Sequence, residues 1–206
     1  MMRVSAVIPA FNEENRIGEV VSIAKRYVDE VLVVDDGSTD RTGEVAREQG
    51  AKIIRNERNF GYLESLRRGF RVAKGDIVVT LDGDGEHDPG QIPSLLGPIL
   101  DGSADLVFGK RKEVPRVSER IINRLVRYKT GITDSGTGFR AIRREIAKRM
   151  KLNGFCSCGT FLLEAVGLGA RVAEVEAPER SVKKPRRIAW KHLPQFFVVL
   201  KMLVFG

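Results

Sequence analysis

Short apolar runs alternate with amphipathic segments from Val4 to Phe108, and this alternation restricts the fold more than any other feature of the chain. Val4–Ile8, Val31–Val34, Lys52–Ile54, Asp76–Leu81 and Leu106–Phe108 read as strands. The segments between them, Glu13–Tyr27, Arg41–Gln49, Tyr62–Ala73 and Gln91–Leu100, read as helices. The first places Ile17, Val20, Val21 and Ala24 on one face. Strand and helix in strict alternation predict an α/β fold, a doubly wound and mostly parallel sheet with right-handed crossovers. In such sheets ligands lie outside the carboxyl ends of the strands.

Those ends are acidic. Ile77, Val78, Val79 and Leu81 form a continuous apolar run, the pattern of a strand covered on both faces. It runs into Asp82-Gly83-Asp84-Gly85-Glu86-His87-Asp88, four carboxylates in seven positions without a local counter-charge. Carboxylates this close repel one another unless a cation neutralises them. A hard divalent ion such as Mg²⁺ takes carboxylate oxygens and keeps positions open for phosphate. The interspersed glycines let backbone approach a diphosphate. The second strand ends likewise in Asp35-Asp36-Gly37-Ser38-Thr39-Asp40, so both acidic clusters are expected to face one cleft.

The second half is less regular. Arg116, Arg120, Arg124 and Arg127 recur along one face of a helix over Arg116–Lys129, opposite Val117, Ile121, Ile122, Leu125 and Val126. A glycine-rich turn, Asp134–Arg140, follows, then short helices over Arg143–Met150 and Phe161–Leu168, a strand over Val172–Val175 and a basic loop, Lys183–Arg187. Trp190–Phe205 has an apolar stripe at helical spacing. Two readings stand for each amphipathic helix: packing into the core, or lying at a membrane surface. His87 is either an outer group of a metal site or a turn residue. Cys156 and Cys158, with only His87 and His192 as further soft ligands, read as reduced, inert thiols rather than a zinc site.

Lys and Arg total 35 against 27 Asp and Glu, a net charge of +8, which favours anionic partners. No nucleic-acid motif or aromatic stacking platform accompanies the arginines, which argues against nucleic acid. The sequence shows no signal peptide and no apolar run long enough to span a bilayer.

Three strand-end motifs, Val7-Ile8-Pro9-Ala10-Phe11-Asn12-Glu13-Glu14, Val33–Asp40 and Leu81-Asp82-Gly83-Asp84, together resemble glycosyltransferase family 2 and its GT-A fold, a Rossmann-like architecture. Gly109-Lys110-Arg111, the basic helix and Thr137-Gly138-Phe139-Arg140 narrow the likeness to dolichol-phosphate mannosyltransferases, with Thr-Gly-Phe-Arg in place of that group's Ser-Gly-Phe-Arg. The resemblance implies one GT-A catalytic domain over 1–206: a nucleotide-sugar half at 1–111, an acceptor half at 112–188 and an amphipathic, interfacial helix at 189–206.

The resemblance also implies roles. Pro9, Ala10, Glu13, Asp35, Asp36, Asn59, Gly61 and Gly83 would bind the nucleotide sugar together with Asp82 and Asp84. Asp82, Asp84 and Glu86 would hold Mg²⁺ or Mn²⁺. Arg111, Arg116, Arg120, Arg140 and Lys183 would receive the acceptor phosphate, and Asp82, Asp84 and Arg111 would carry catalysis. The implied reaction moves a hexose, mannose from GDP-mannose favoured, onto dolichyl or polyprenyl phosphate with inversion, at the cytoplasmic face of a membrane. Two alternatives remain. One is a family 2 enzyme using UDP-glucose or a saccharide hydroxyl, for which Asp88 or Asp134 would have to act as base. The other is a non-catalytic nucleotide- or nucleic-acid-binding module.

Overall fold

A computed structural model describes residues 2–114, 116–182 and 192–205. Seven strands form one sheet: β1 Val4–Ala10, β2 Glu30–Asp35, β3 Lys52–Arg55, β4 Ile77–Thr80, β5 Leu106–Lys110, β6 Arg140–Arg143 and β7 Val172–Glu176. Their order is β3-β2-β1-β4-β6-β5-β7. All pairings are parallel except those of β6, which runs antiparallel to both β4 and β5. Every residue of β1, β2 and β4 is buried, as their unbroken apolar runs require.

Successive strand residues point to opposite faces and feed two cores. Ile8, Val33, Ile77, Val79 and Leu81 pack with α1 (Ile17–Ala24), α2 (Thr42–Glu48) and α4 (Ile92–Leu100). Val7, Leu32, Val34, Val78, Leu106 and Phe108 pack with α3 (Tyr62–Val72), α5 (Val117–Thr130), α6 (Arg144–Arg149), α7 (Thr160–Gly167) and α8 (His192–Phe205). Gly69 in α3 is one reason the layers close tightly. A Cβ there would lie 2.2 Å from a Val7 methyl.

Three expectations need correction. Arg140–Arg143 is a strand, not the tail of a turn leading into a helix. It is four residues long, with arginine at both ends, and it is fixed by pairing with β4 and β5 on either side rather than by its own pattern. Helix α1 starts at Ile17, because Glu13 to Arg16 form a turn in which the Glu13 carbonyl accepts from both Arg16 and Ile17. The buried stripe of α5 is Glu119, Ile122, Asn123 and Val126, whereas Val117 and Ile121, grouped with the apolar side by spacing, are 64% and 49% exposed.

Helix α8 buries His192, Gln195 and Val199 and exposes Leu193, Phe197, Leu200 and Val204. Among the described residues no helix is long and apolar enough to cross a membrane. Trp190 and the basic loop, Lys183 included, lie outside the described residues.

Candidate active site

A cleft of about 640 Å³ opens at the carboxyl edge of the sheet, a volume that suits a nucleotide-sized ligand. Its walls include Pro9, Ala10, Glu13, Gly61, Asp82, Gly83, Asp84, Glu86, Arg111 and Arg116. These ten residues, from the sets expected to serve donor, metal and acceptor, are thus brought to one place from four strand ends.

The loops after β1 and β2 are laced together. The Asn12 N–H donates to Ser38 Oγ at 3.0 Å, the Thr39 N–H to Asn12 Oδ1 at 2.9 Å and the Glu13 N–H to Thr42 Oγ1 at 2.8 Å. The acidic pair of β2 works inside this framework, not at the cleft wall. Asp35 is fully buried, with Oδ1 accepting from the Ser38 N–H and Oδ2 from Arg55 Nη1. Asp36 Oδ1 accepts from Asn56 Nδ2 at 2.6 Å and from the Phe60 N–H at 2.9 Å, and Oδ2 from the Gly61 N–H at 2.8 Å. Asp36 therefore shapes the 56–61 loop that carries Phe60 and Gly61 to the cleft. Asn59 is exposed and away from the lining; Asn56, 1% exposed, is the asparagine that this loop depends on.

Asp82 is braced from two sides. Its N–H donates to His87 Nδ1 at 3.2 Å, which leaves the imidazole proton on Nε2, 3.8 Å from Glu179. His87 is buried, stacks on Phe139 at 5.4 Å, and is held below its ordinary pKa by that burial. From the other side Gly138 presses close: a Cβ there would lie 2.7 and 2.8 Å from the Asp82 oxygens. Asp82 Oδ1 is buried without a hydrogen-bond partner among the described residues, as is the Tyr62 hydroxyl. Asp84 Oδ1 accepts from the Glu86 N–H at 3.0 Å, and all three carboxylates line the cleft. An orphaned carboxylate oxygen beside two further carboxylates fits a hard divalent cation. Gly83 lines the cleft and is also constrained by packing, since a Cβ would crowd Ala10 and Ile17 at 3.0 and 3.1 Å.

Arg111, immediately after β5, is the hub of a buried ion network. Nε donates to Asp134 Oδ2 at 2.8 Å, while Nη2 donates to Asp134 Oδ1 at 2.8 Å and to Glu119 Oε2 at 2.9 Å. Burial works to raise the Asp134 pKa, but the hydrogen bonds and charge of Arg111 outweigh it and leave the carboxyl low. Arg116 bonds the other Glu119 oxygen at 2.7 Å. Arg111 and Arg116 are therefore balanced by two carboxylates. Arg120 is exposed on α5 and Arg140 is fully buried, its guanidinium 4.3 Å from the Phe161 ring centre and bonded to Ser157 Oγ at 2.9 Å; neither lines the cleft.

Asp88 and Asp134, the two carboxylates weighed as bases, are both in ion pairs, Asp88 with Arg180 and Asp134 with Arg111. The sequence reading missed Glu179, which also lines the cleft. Burial pushes its carboxyl up to about 7. No motif marks it, because its environment is assembled from Asp82, Glu86 and His87 after β4, Arg111 after β5 and Asp134 before β6. Phe60 was missed as well; it lies between the guanidinium groups of Arg58 and Arg68, at 5.1 and 5.3 Å.

A doubly wound sheet with an Asp-x-Asp cleft at its carboxyl edge defines a nucleotide-sugar transferase of the GT-A class. Residues 5–163 match the profile of Glycosyl transferase family 2, and the chain belongs to that family. An uncharacterized protein of Methanocaldococcus jannaschii is 34% identical over 190 residues, 82% of this chain and 78% of the relative. A dolichol-phosphate mannosyltransferase of Pyrococcus furiosus is 32% identical over 201 residues, 86% of this chain and 56% of that protein. An undecaprenyl-phosphate 4-deoxy-4-formamido-L-arabinose transferase of Edwardsiella ictaluri is 34% identical over 71% of this chain and 51% of its own length. The chain thus spans about half of these two named transferases. Among solved structures, glucosyl-3-phosphoglycerate synthase of Mycobacterium tuberculosis, in complex with Mn²⁺ and UDP-glucose, superposes with a TM-score of 0.80 at 26% identity, covering 97% of this chain and 78% of that one.

Proposed function

We propose that this glycosyltransferase moves a hexose from a nucleotide sugar to a polyprenyl or dolichyl phosphate, with inversion at the sugar carbon, and that GDP-mannose is its donor. The observation that carries the proposal is the meeting of Asp82, Asp84 and Glu86 with Arg111 and Arg116 in one cleft. The names of the Pyrococcus and Edwardsiella relatives support the acceptor class, and the former supports mannose. Asp82, Asp84 and Glu86 would hold Mn²⁺ or Mg²⁺, which supplies Lewis-acid stabilisation of a leaving diphosphate.

An acceptor phosphate is already ionised near neutral pH and needs no strong base. It needs placement, and Arg111 and Arg116 are positioned to give it. Their charge is shared with Asp134 and Glu119, so the acceptor meets guanidinium groups fixed in advance rather than a strongly positive field. The exposed apolar stripe of α8 (Leu193, Phe197, Leu200, Val204) and exposed Val117, Ile121 and Tyr128 of α5 suit docking on a lipid surface, with Arg120, Arg124 and Arg127 toward headgroups.

A second reading has a specific observation behind it. A hydroxyl acceptor requires a general base, and Glu179, with its carboxyl pushed up to about 7, lies in the cleft. The similarity to a glucosyl-3-phosphoglycerate synthase points the same way. The deciding experiment incubates the protein and Mn²⁺ or Mg²⁺ with GDP-mannose and with UDP-glucose, each against polyprenyl phosphate and against phosphoglyceric acid, and reads products by mass. A mannosyl phospholipid supports the first reading. A glucosylated hydroxy acid supports the second, and no product from any pair refutes both.

A further inference from the structure

Two thiols and an imidazole outside the carboxylate cluster converge in the wall of the cleft that Asp82 also lines. Cys156 and Cys158 lie in the loop before α7, and His192 is the first residue of α8, 34 positions beyond Cys158. All three are buried, and one ligand atom from each lies within 4.8 Å of the others. Cys158 Sγ is 3.9 Å from His192 Nε2. Ligands around tetrahedral zinc, at about 2.3 Å for sulfur and 2.1 Å for nitrogen, are about 3.6–3.8 Å apart, so the cluster needs only a small contraction.

The surroundings are arranged as a ligand shell requires. The other histidine nitrogen, Nδ1, is 2.7 Å from Ser118 Oγ, which orients the ring and leaves Nε2 facing the sulfurs. Gln195 of α8, fully buried, clamps the cysteine loop: Oε1 accepts from the Phe155 N–H, and Nε2 donates to the carbonyls of Cys156 and Cys158, both at 2.9 Å. Gly159 allows the loop this close, since a Cβ would lie 2.9 Å from Ile122 and 3.0 Å from Val199. The buried Arg140 guanidinium bonds Ser157 Oγ, between the cysteines, at 2.9 Å, which helps hold the loop in place.

We propose that Cys156, Cys158 and His192 bind a thiolate-seeking divalent ion, Zn²⁺, with the fourth position open to the cleft. The site shares the cleft with the carboxylates Asp82 and Asp84 but differs from them in chemistry, thiolate and imidazole instead of carboxylate oxygen. Its occupation ties the start of α8 to the loop before α7 and so fixes the helix that carries the exposed apolar stripe.

The test uses the full chain, reduced and stripped with EDTA. Added Zn²⁺ is expected to remain at one ion per chain after dialysis and to raise Tm. Added Co²⁺ is expected to give a near-ultraviolet sulfur-to-metal charge-transfer band with the visible bands of a tetrahedral ion. Cys158→Ser and His192→Ala should each lower zinc retention at least tenfold and remove or weaken the cobalt band, whereas Asp84→Asn should leave both intact. The proposal is overturned if wild-type protein shows no charge-transfer band, a reading that does not depend on any variant folding. It is equally overturned if the band keeps its full intensity in Cys158→Ser, if zinc is lost with Asp84→Asn, or if the two cysteines react as free thiols at the same rate with and without zinc.

Discussion

Replacing Asp134 with alanine isolates the ion network that fixes Arg111. The wild-type carboxylate receives two side-chain hydrogen bonds of 2.8 Å and the Arg111 backbone N–H at 3.1 Å. The side chains of Arg111 and Asp134 are 9% and 1% exposed, so solvent cannot replace these bonds. Removing one partner of a buried pair costs about 3–5 kcal/mol. Arg111 keeps Glu119 at 2.9 Å, which places the expected loss at the lower end, about 3 kcal/mol. For a chain of this size that lowers Tm by roughly 6–12 °C. Urea unfolding followed by circular dichroism is the assay. The double variant Arg111→Met/Asp134→Leu should recover much of the loss, because neither member of the pair is then left without the other and buried Glu119 keeps Arg116 at 2.7 Å. The wild-type contribution is fully present above the unfolded Asp pKa of 3.8 and is lost as pH falls through the lower native value. A loss below about 1 kcal/mol in the single variant, or a double variant as unstable as the sum of its parts, would refute the account.

Three further outcomes follow from the geometry. Asp84→Ala should abolish transfer while leaving Tm within a few degrees, and should remove the rise of about 2–3 kcal/mol that saturating nucleoside diphosphate with Mn²⁺ gives the wild type; retained activity would rule out Asp84 as a metal ligand. In metal-free protein, Glu179 favours protonation in the native state, so stability falls as pH rises from 4.5 to about 7 and stays lower above it. Glu179→Gln should therefore gain about 2 kcal/mol above pH 7 after solvent screening is allowed for, measured as urea midpoints at several pH values. Leu193→Asp/Phe197→Asp, at side chains 72% and 62% exposed, should leave folding intact and cut sedimentation with anionic vesicles several-fold, and unchanged sedimentation would remove α8 from the docking surface.

What was legible in the sequence was what local pattern controls. Ile77 to Leu81 announced a doubly covered strand, and the aspartates beyond it had nowhere to go but the carboxyl edge. Gly138 and Arg140 were visible as a motif, but their work was not: one crowds the Asp82 carboxylate and the other lies beneath the cleft among Phe108 and Phe161. The pairing of β6, the buried face of α5 and the raised pKa of Glu179 all depend on partners far away in the chain. A polar residue such as Asn123 or Glu119 enters a helix's buried stripe only because Asp134, Ser135 and Arg111 are there to meet it. Periodicity of apolar residues cannot register that.

The reversed strand β6 has a mechanical role. Asp82 follows β4 and Arg111 follows β5, both at the same edge, with β6 between them. Neighbouring strands are about 4.8 Å apart, so the insertion separates the two strand ends by about 10 Å. Were β4 and β5 adjacent, the Asp82 carboxylate and the Arg111 guanidinium would be close enough to neutralise each other, with no room for a substrate between them. The strand that breaks the parallel order is a spacer: it sets the jaw width of the cleft and keeps opposite charges from closing it.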